Sequence, residues 1–140
     1  MLRPRTVHTM VSEKNSPNTM CTTTAEVQAD RPAALRELSE RWGNCWVVLK
    51  GQQTLIGRAD GEIFVNPSGN PHLAQGGSGD VLAGYLAGWL AQPAHAAAAP
   101  TAIRHAVWQH GAAADHLTGR RANWVVEELI ERLGRVKANR

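Results

Sequence analysis

The run Cys45-Trp46-Val47-Val48-Leu49 is apolar at every position and is closed by Lys50-Gly51. Continuous apolar character without alternation suits a strand in a sheet covered on both faces, which places the chain in the α/β class. Thr54-Leu55-Ile56 and Ile63-Phe64-Val65 read as two further strands, and Asp60-Gly61 between them is a hairpin signal. Helical signals flank this strand group. Thr22 to Thr24 can cap a first helix. Pro32 suits the first turn of a second, with Ala33, Ala34, Leu35, Leu38 and Trp42 as its apolar face and Gly43 as its stop.

Beyond the strands, Asn66 to Gly77 is a long connection leading into Gly76-Gly77-Ser78-Gly79-Asp80. A helix from about Ser78 to Leu90 follows, with Leu82, Leu86, Trp89 and Leu90 as one stripe. Glycine inside a helix costs about 1 kcal/mol against alanine. Gly84 and Gly88 therefore imply that another backbone packs closely there. Ala94 to Pro100 is an alanine-rich connector. A helix from about Thr101 to Leu117 presents Ile103, Ala106, Val107, His110 and Ala114, and Asn123 can cap a last one, Trp124 to Leu133, stopped by Gly134. The order is helices, strands, helices, with no βαβ repeat and too few strands for a doubly wound sheet. It has the look of the second half of something larger.

The 140 residues carry a net charge of +3, with 43% hydrophobic and 19% charged residues, as in an ordinary soluble domain. Much of the excess sits at the ends, in Arg3, Arg5, Arg132, Arg135, Lys137 and Arg140. No basic stripe with groove-reading partners is present, so no nucleic-acid partner is expected. Cys21 and Cys45 make neither a CxxC pair nor a secreted-type framework, and a buried free thiol at Cys45 in a reducing cytoplasm is expected. The stretch from Val81 to Ala99 is interrupted by glycines, Gln92, Pro93 and His95, so a buried helix rather than a membrane span is expected. Residues 1–21 show little periodicity, with Ser12 and Asn15 to Asn18 loop-like.

The chemistry is concentrated in the glycine run. Free amides at a helix start, with the helix dipole behind them, form an anion site, and glycines let a phosphate approach the backbone. Asp80 either answers the dipole as an ordinary first-turn charge or acts as a general base beside the anion hole, taking a proton from a hydroxyl that attacks a phosphoryl group. Other site types are missing. There is no GxxxxGK[ST] and no GxGxxG. His105, His110 and His116 share a helix face poorly, so no metal site is expected from them.

Val47-Val48-Leu49-Lys50-Gly51, then Asn70-Pro71, then Gly77-Ser78-Gly79-Asp80-Val81-Leu82-Ala83-Gly84 resemble the C-terminal half of the ADP- or ATP-dependent NAD(P)H-hydrate dehydratases of the ribokinase-like superfamily. His110-Gly111-Ala112-Ala113-Ala114-Asp115 resembles that family's penultimate helix. The resemblance runs from about Thr22 to the C-terminus. It implies an incomplete, C-terminal part of a ribokinase-like three-layer α/β fold over 22–140, with 1–21 an unmatched irregular segment. It also implies a repair reaction. The C6 hydroxyl of hydrated NADH or NADPH is phosphorylated by ADP or ATP with Mg²⁺, and phosphate elimination restores the dihydropyridine. By this resemblance Asp80 is the base and faces the hydrated substrate. The amides of Gly77, Ser78 and Gly79 hold the transferred phosphoryl group, and Gly79 also meets the nucleotide. Lys50, Gly51, Gln52, Gln53 and Thr54 form the nucleotide loop, while Asn70 and His72 shape the connection. A homo-oligomer is implied.

Three stretches depart from the family pattern. Leu2-Arg3-Pro4-Arg5 is a poor echo of a Thr-Pro-His segment. Gln52 and Gln53 replace small residues, and Ala122-Asn123 replaces a Ser-Asp cap. The family's first half, with most of its parallel sheet, has no counterpart here, so weak nucleotide binding and poor turnover are expected of the isolated chain. A different ribokinase-like small-molecule kinase and a non-catalytic remnant that associates with another chain are the alternative readings.

Overall fold

A computed structural model describes the backbone of residues 7–9, and residues 23–121 and 123–137 in full. Expectations at Leu2 to Arg5, Ser12 to Asn18, Cys21, Thr22, Ala122 and Arg140 lie outside the described residues. The chain divides into two compact units, Met1–Val65 and Asn66–Arg140.

In the first unit, β1 (Val7–Thr9), β2 (Trp46–Leu49), β3 (Leu55–Gly57) and β4 (Phe64–Val65) form one sheet in that spatial order. β1 runs parallel to β2, with Val7 opposite Trp46 and Thr9 opposite Val48. β2 and β3 are antiparallel, with Leu49 opposite Leu55, and so are β3 and β4, with Ile56 opposite Phe64. Val47, Val48 and Leu49 are all buried, as are Leu55 and Ile56, so both faces of these strands are covered as the apolar run requires. β1 lies within the stretch expected to be irregular, since three residues are too few to show a period.

α1 (Thr24–Ala29) opens with a full capping box. Thr23 Oγ1 accepts the Glu26 N–H at 3.2 Å, and Glu26 accepts the Thr23 N–H at 2.6 Å. In α2 (Arg31–Arg41) Asp30 Oδ1 caps the Ala33 N–H at 2.9 Å and Pro32 sits in the first turn. Leu35 joins Cys45, Val47, Leu49 and Leu55 in the core, with Val27, Leu38 and Ile63 against them. Trp42 does not belong to that face. It is 56% exposed, because α2 ends at Arg41 and the chain turns through left-handed Gly43 and Asn44. The buried Ser39 hydroxyl donates to Cys45 O at 2.7 Å and accepts the Ala59 N–H at 2.9 Å, tying α2 to the start of β2 and to the hairpin. Arg36 reinforces the hairpin by donating to Ala59 O and Gly61 O at 2.6 and 3.1 Å. Cys45 is a buried free thiol, and desolvation pushes its pKa up.

The second unit is helical, with a 3₁₀ turn (Pro71–Leu73) followed by α3 (Ser78–Leu90), α4 (Pro93–Ala97), α5 (Ala99–Thr118) and α6 (Val126–Arg132). α5 is its axis and packs against α3, α4, α6 and the 3₁₀ turn. Ile103, Ala106, Val107, His110 and Ala114 are buried as expected, and so are Gly111, Ala112 and Ala113, which makes the C-terminal half of α5 buried on most sides. Leu117, Trp124 and Leu129 complete the core with Ala113 and Ala114. On α3, Leu82 and Leu86 are buried.

Among the described residues no backbone packs against Gly84 and Gly88. A Cβ at either would meet nothing within 4 Å, because both lie on the exposed side of α3. The close approach occurs at Gly111 instead, where a Cβ would lie 2.3 Å from Ser68 Oγ and 2.6 Å from Ser68 C. Asn123 does not cap the last helix. The buried Trp124 is held by its indole N–H to Thr118 Oγ1 at 2.8 Å, so the helix starts only at Val126, where Glu128 accepts the Val125 N–H at 3.0 Å. No helix among the described residues is long and apolar enough to cross a membrane.

Candidate active site

The connection from Asn66 to Gly77 is shaped by α5. Asn66 Nδ2 donates to Ser68 O at 2.9 Å, and the Ser68 hydroxyl donates to Trp108 O at 2.9 Å. The Asp115 carboxylate takes the Gly69 N–H on one oxygen and Asn70 Nδ2 on the other, both at 2.8 Å. Asn70 Oδ1 in turn accepts the His72 N–H at 3.1 Å, which starts the 3₁₀ turn. Gln75 Nε2 donates to His72 O at 2.9 Å and Trp124 O at 3.2 Å. Asn70 is thus a loop-shaping residue, and His72 leans on Trp124 with ring centroids 6.2 Å apart.

The glycine run then turns into α3. Gly77 is the N-cap, with φ +85 in the left-handed region that glycine adopts without Cβ strain. No side chain caps this helix. The Ser78 N–H donates to Gln75 O at 3.3 Å, whereas the N–H groups of Gly77, Gly79 and Asp80 have no partner among the described residues. These are unsatisfied donors at the positive end of a helix dipole. The Ser78 side chain is 1% exposed and points inward, toward His110 at 4% exposure. His110 Nε2 lies 3.0 Å from Ser78 O and 3.4 Å from Ser78 Oγ. A carbonyl only accepts, so Nε2 is the donor in this contact. Asp80, in the first turn, is exposed, and its carboxylate has no hydrogen bond or ion pair among the described residues.

Lys50 to Thr54 form the β2–β3 turn of the first unit, at the C-terminal end of β2. Gly51 has φ +146 and Gln53 φ +57. Gly51, Gln52 and Gln53 are exposed, and Lys50 and Thr54 are half-buried. The Arg31 guanidinium lies against the turn: Nη1 donates to Gln52 O and Gln53 O at 2.5 and 3.3 Å, and Nη2 to Leu49 O and Lys50 O at 3.1 and 3.5 Å.

The sequence profile of the NAD(P)H-hydrate dehydratase family matches residues 16–135, most of the chain. The chain belongs to the NAD(P)H-hydrate dehydratase family. Over 96 residues it is 52% identical to the ADP-dependent (S)-NAD(P)H-hydrate dehydratase of Neisseria meningitidis serogroup B, covering 67% of this chain and 30% of that protein. It is 46% identical over 92 residues to the bifunctional NAD(P)H-hydrate repair enzyme of Gloeobacter violaceus, covering 66% of this chain and 17% of the relative. Among solved structures, the ADP/ATP-dependent NAD(P)H-hydrate dehydratase of Bacillus subtilis, co-crystallised with ATP and Mg²⁺, superposes with a TM-score of 0.67 at 35% identity, over 79% of this chain and 39% of that one. The α/β fold of this dehydratase-family chain is therefore that of part of the B. subtilis enzyme, consistent with a ribokinase-like architecture. The chain spans less than a third of the length of these two curated relatives.

Within the dehydratase-family sequence, Arg31, His110 and Asp115 shape the loops without having been expected to. The run from His110 to Asp115 resembles the family's penultimate helix, and that was the available signal for its two ends. Arg31 acts across a long stretch of chain and leaves no local pattern.

Proposed function

We propose that this chain contributes the phosphoryl-handling half of a nucleotide-dependent NAD(P)H-hydrate dehydratase, with residues 22–140 as the C-terminal half of the ribokinase-like domain. The reading rests on the glycine turn. Left-handed Gly77 leaves three amides without partners among the described residues at the head of a 13-residue helix, with the exposed Asp80 carboxylate in its first turn. The donors suit a phosphoryl group in flight between oxygens, whose charge they stabilise without reorganising. Asp80 takes the proton from the C6 hydroxyl of hydrated NADH or NADPH as the hydroxyl oxygen attacks the terminal phosphorus of ADP or ATP and AMP or ADP leaves. Phosphate is a far better leaving group than hydroxide: the ring-nitrogen lone pair expels it from C6, and loss of the C5 proton to water then restores the dihydropyridine. His110 holds Ser78, and through it the turn, in this geometry. Lys50, Gly51, Gln52, Gln53 and Thr54 receive the nucleotide.

Mg²⁺ enters this proposal with the nucleotide, whose phosphate oxygens suit it as ligands. A cytoplasmic setting, where the buried Cys45 thiol stays reduced, and a homo-oligomeric assembly belong to the same proposal.

The test is recovery of reduced-nicotinamide absorbance when the chain is mixed with hydrated NADH, MgATP or MgADP. Turnover that falls by roughly 10²–10⁴ in Asp80→Asn is expected. Turnover retained by Asp80→Asn, or a chain that phosphorylates a small alcohol and leaves hydrated NADH untouched, refutes the assignment.

A further inference from the structure

We infer that Arg31 is a positioning residue which turns the Lys50–Thr54 loop into a phosphate receptor by holding its carbonyl groups on one side. The inference rests on the nucleotide reading of that loop given above. Arg31 occupies the first position of α2, where the helix dipole disfavours a cation. Its side chain does not escape into water from there. It reaches the β2–β3 turn, and its terminal nitrogens gather the carbonyls of Leu49, Lys50, Gln52 and Gln53. Nε is buried with no partner, so the clamp is made by the two terminal nitrogens alone.

The consequence follows from the planarity of the peptide unit. No cis bond occurs among the described residues, and in a trans peptide the N–H points opposite to the carbonyl before it. Carbonyls of Lys50, Gln52 and Gln53 drawn toward the guanidinium turn the amides of Gly51, Gln53 and Thr54 away from it. The Gly51 and Gln53 amides have no partner among the described residues. Successive outward amides with left-handed φ at Gln53 make an anion-binding concavity of the nest type. The guanidinium also neutralises the carbonyl dipoles that would otherwise repel a phosphate. Gly51 suits the approach: its φ of +146 strains any residue with a Cβ, and that Cβ would lie 3.0 Å from Arg31 Nη2. The ligand this arrangement takes is the polyphosphate of a nucleoside di- or triphosphate. Arg31 touches the loop and not the ligand.

The experiment compares the full chain with Arg31→Ala and Arg31→Lys. Backbone ¹⁵N order parameters of the 50–54 segment, MgATP affinity by calorimetry and the urea midpoint are measured for each. Arg31→Ala should drop the order parameters at Gly51, Gln53 and Thr54 from about 0.85 to below about 0.6 and weaken MgATP binding by roughly tenfold, while those at Gly77 to Asp80 stay as in the wild type. Arg31→Lys should recover only part of both, since one ammonium cannot span the carbonyls that a planar fork reaches. If Arg31→Ala unfolds, the lysine variant carries the same comparison. Unchanged loop order parameters in these variants overturn the clamp. Lowered order parameters with wild-type MgATP affinity overturn its role in binding. A wild-type chain that takes no MgATP while its loop is held rigid through Arg31 overturns the nucleotide reading and the receptor built on it, and leaves the clamp standing as architecture.

Discussion

Alanine at Gly111 sets two effects of opposite sign against each other. Inside α5 the exchange should stabilise the helix by about 1 kcal/mol on propensity alone. The new methyl, however, would sit 2.3 Å from Ser68 Oγ, 2.6 Å from Ser68 C and 2.7 Å from Ser68 O. Backbone atoms on the facing segment cannot rotate aside as a side-chain tip can, so the 66–70 segment or α5 must move. Overpacking of this kind costs about 1–3 kcal/mol. The displacement also strains the Ser68 hydroxyl bond to Trp108 O and the two bonds from Gly69 and Asn70 to the Asp115 carboxylate. Bonds to a charged acceptor are worth about 1.5–3 kcal/mol each, discounted here because Asp115 is exposed and water replaces part of the loss. The net expectation is a destabilisation of about 2–4 kcal/mol, or a urea midpoint lower by about 1 M or more at unchanged slope. Gly84→Ala supplies the internal control. Its Cβ meets nothing within 4 Å, so it should gain about 0.5–1 kcal/mol from the same propensity term. A Gly111→Ala chain as stable as the wild type would show that the Ser68 contact does not constrain the loop.

Gly77→Ala has room, with the nearest side-chain atoms the Val126 methyls at 3.7 and 3.8 Å, but it must hold φ +85. It should therefore lose about 1–2 kcal/mol for conformational reasons, whereas Gly76→Ala, with open space and no left-handed φ, stays within about 0.5 kcal/mol, both read from urea midpoints. The Thr23 backbone N–H, and then its hydroxyl, hold the Glu26 carboxyl below the usual range. A lowered folded-state pKa adds stability above the ordinary glutamate value near 4.3 that is lost as pH falls through the lowered one. The difference in urea midpoint between wild type and Glu26→Gln should accordingly be present at neutral pH and close in that acid window. A gap that persists unchanged at pH 2 contradicts the pairing.

What could be read from the sequence was local. The buried run at Val47 to Leu49, the stop at Gly43, Pro32 in a first turn and the helix opening at Ser78 each follow from a few adjacent residues. The errors arise where a local pattern meets a tertiary choice. Trp42 continues the period of Leu35 and Leu38, but the helix ends one residue earlier. Gly84 and Gly88 are small enough for close packing, yet composition does not say that their side of α3 faces outward. Asn123 is a good cap residue by type, but burial of Trp124 keeps the chain extended until Val125. The supports of the candidate site lay further from view. Asn70 and Asp115 are 45 positions apart in sequence, and Ser78 and His110 are 32 apart. No window of a dozen residues contains either pair.

Most anchors of the 66–78 segment stand on one rod, Gln75 with its bond to Trp124 O being the exception. Trp108, Gly111 and Asp115 follow one another at intervals of three and four along α5, so they line up along its axis over about 10 Å, with His110 to one side. The shape of the glycine turn is thus stored outside the turn, in the pitch of a neighbouring helix that has no contact with substrate in the proposed reaction. A single-residue slip in that helix would swing every later anchor by about 100° and leave the turn without its template, even with each of its own residues unchanged.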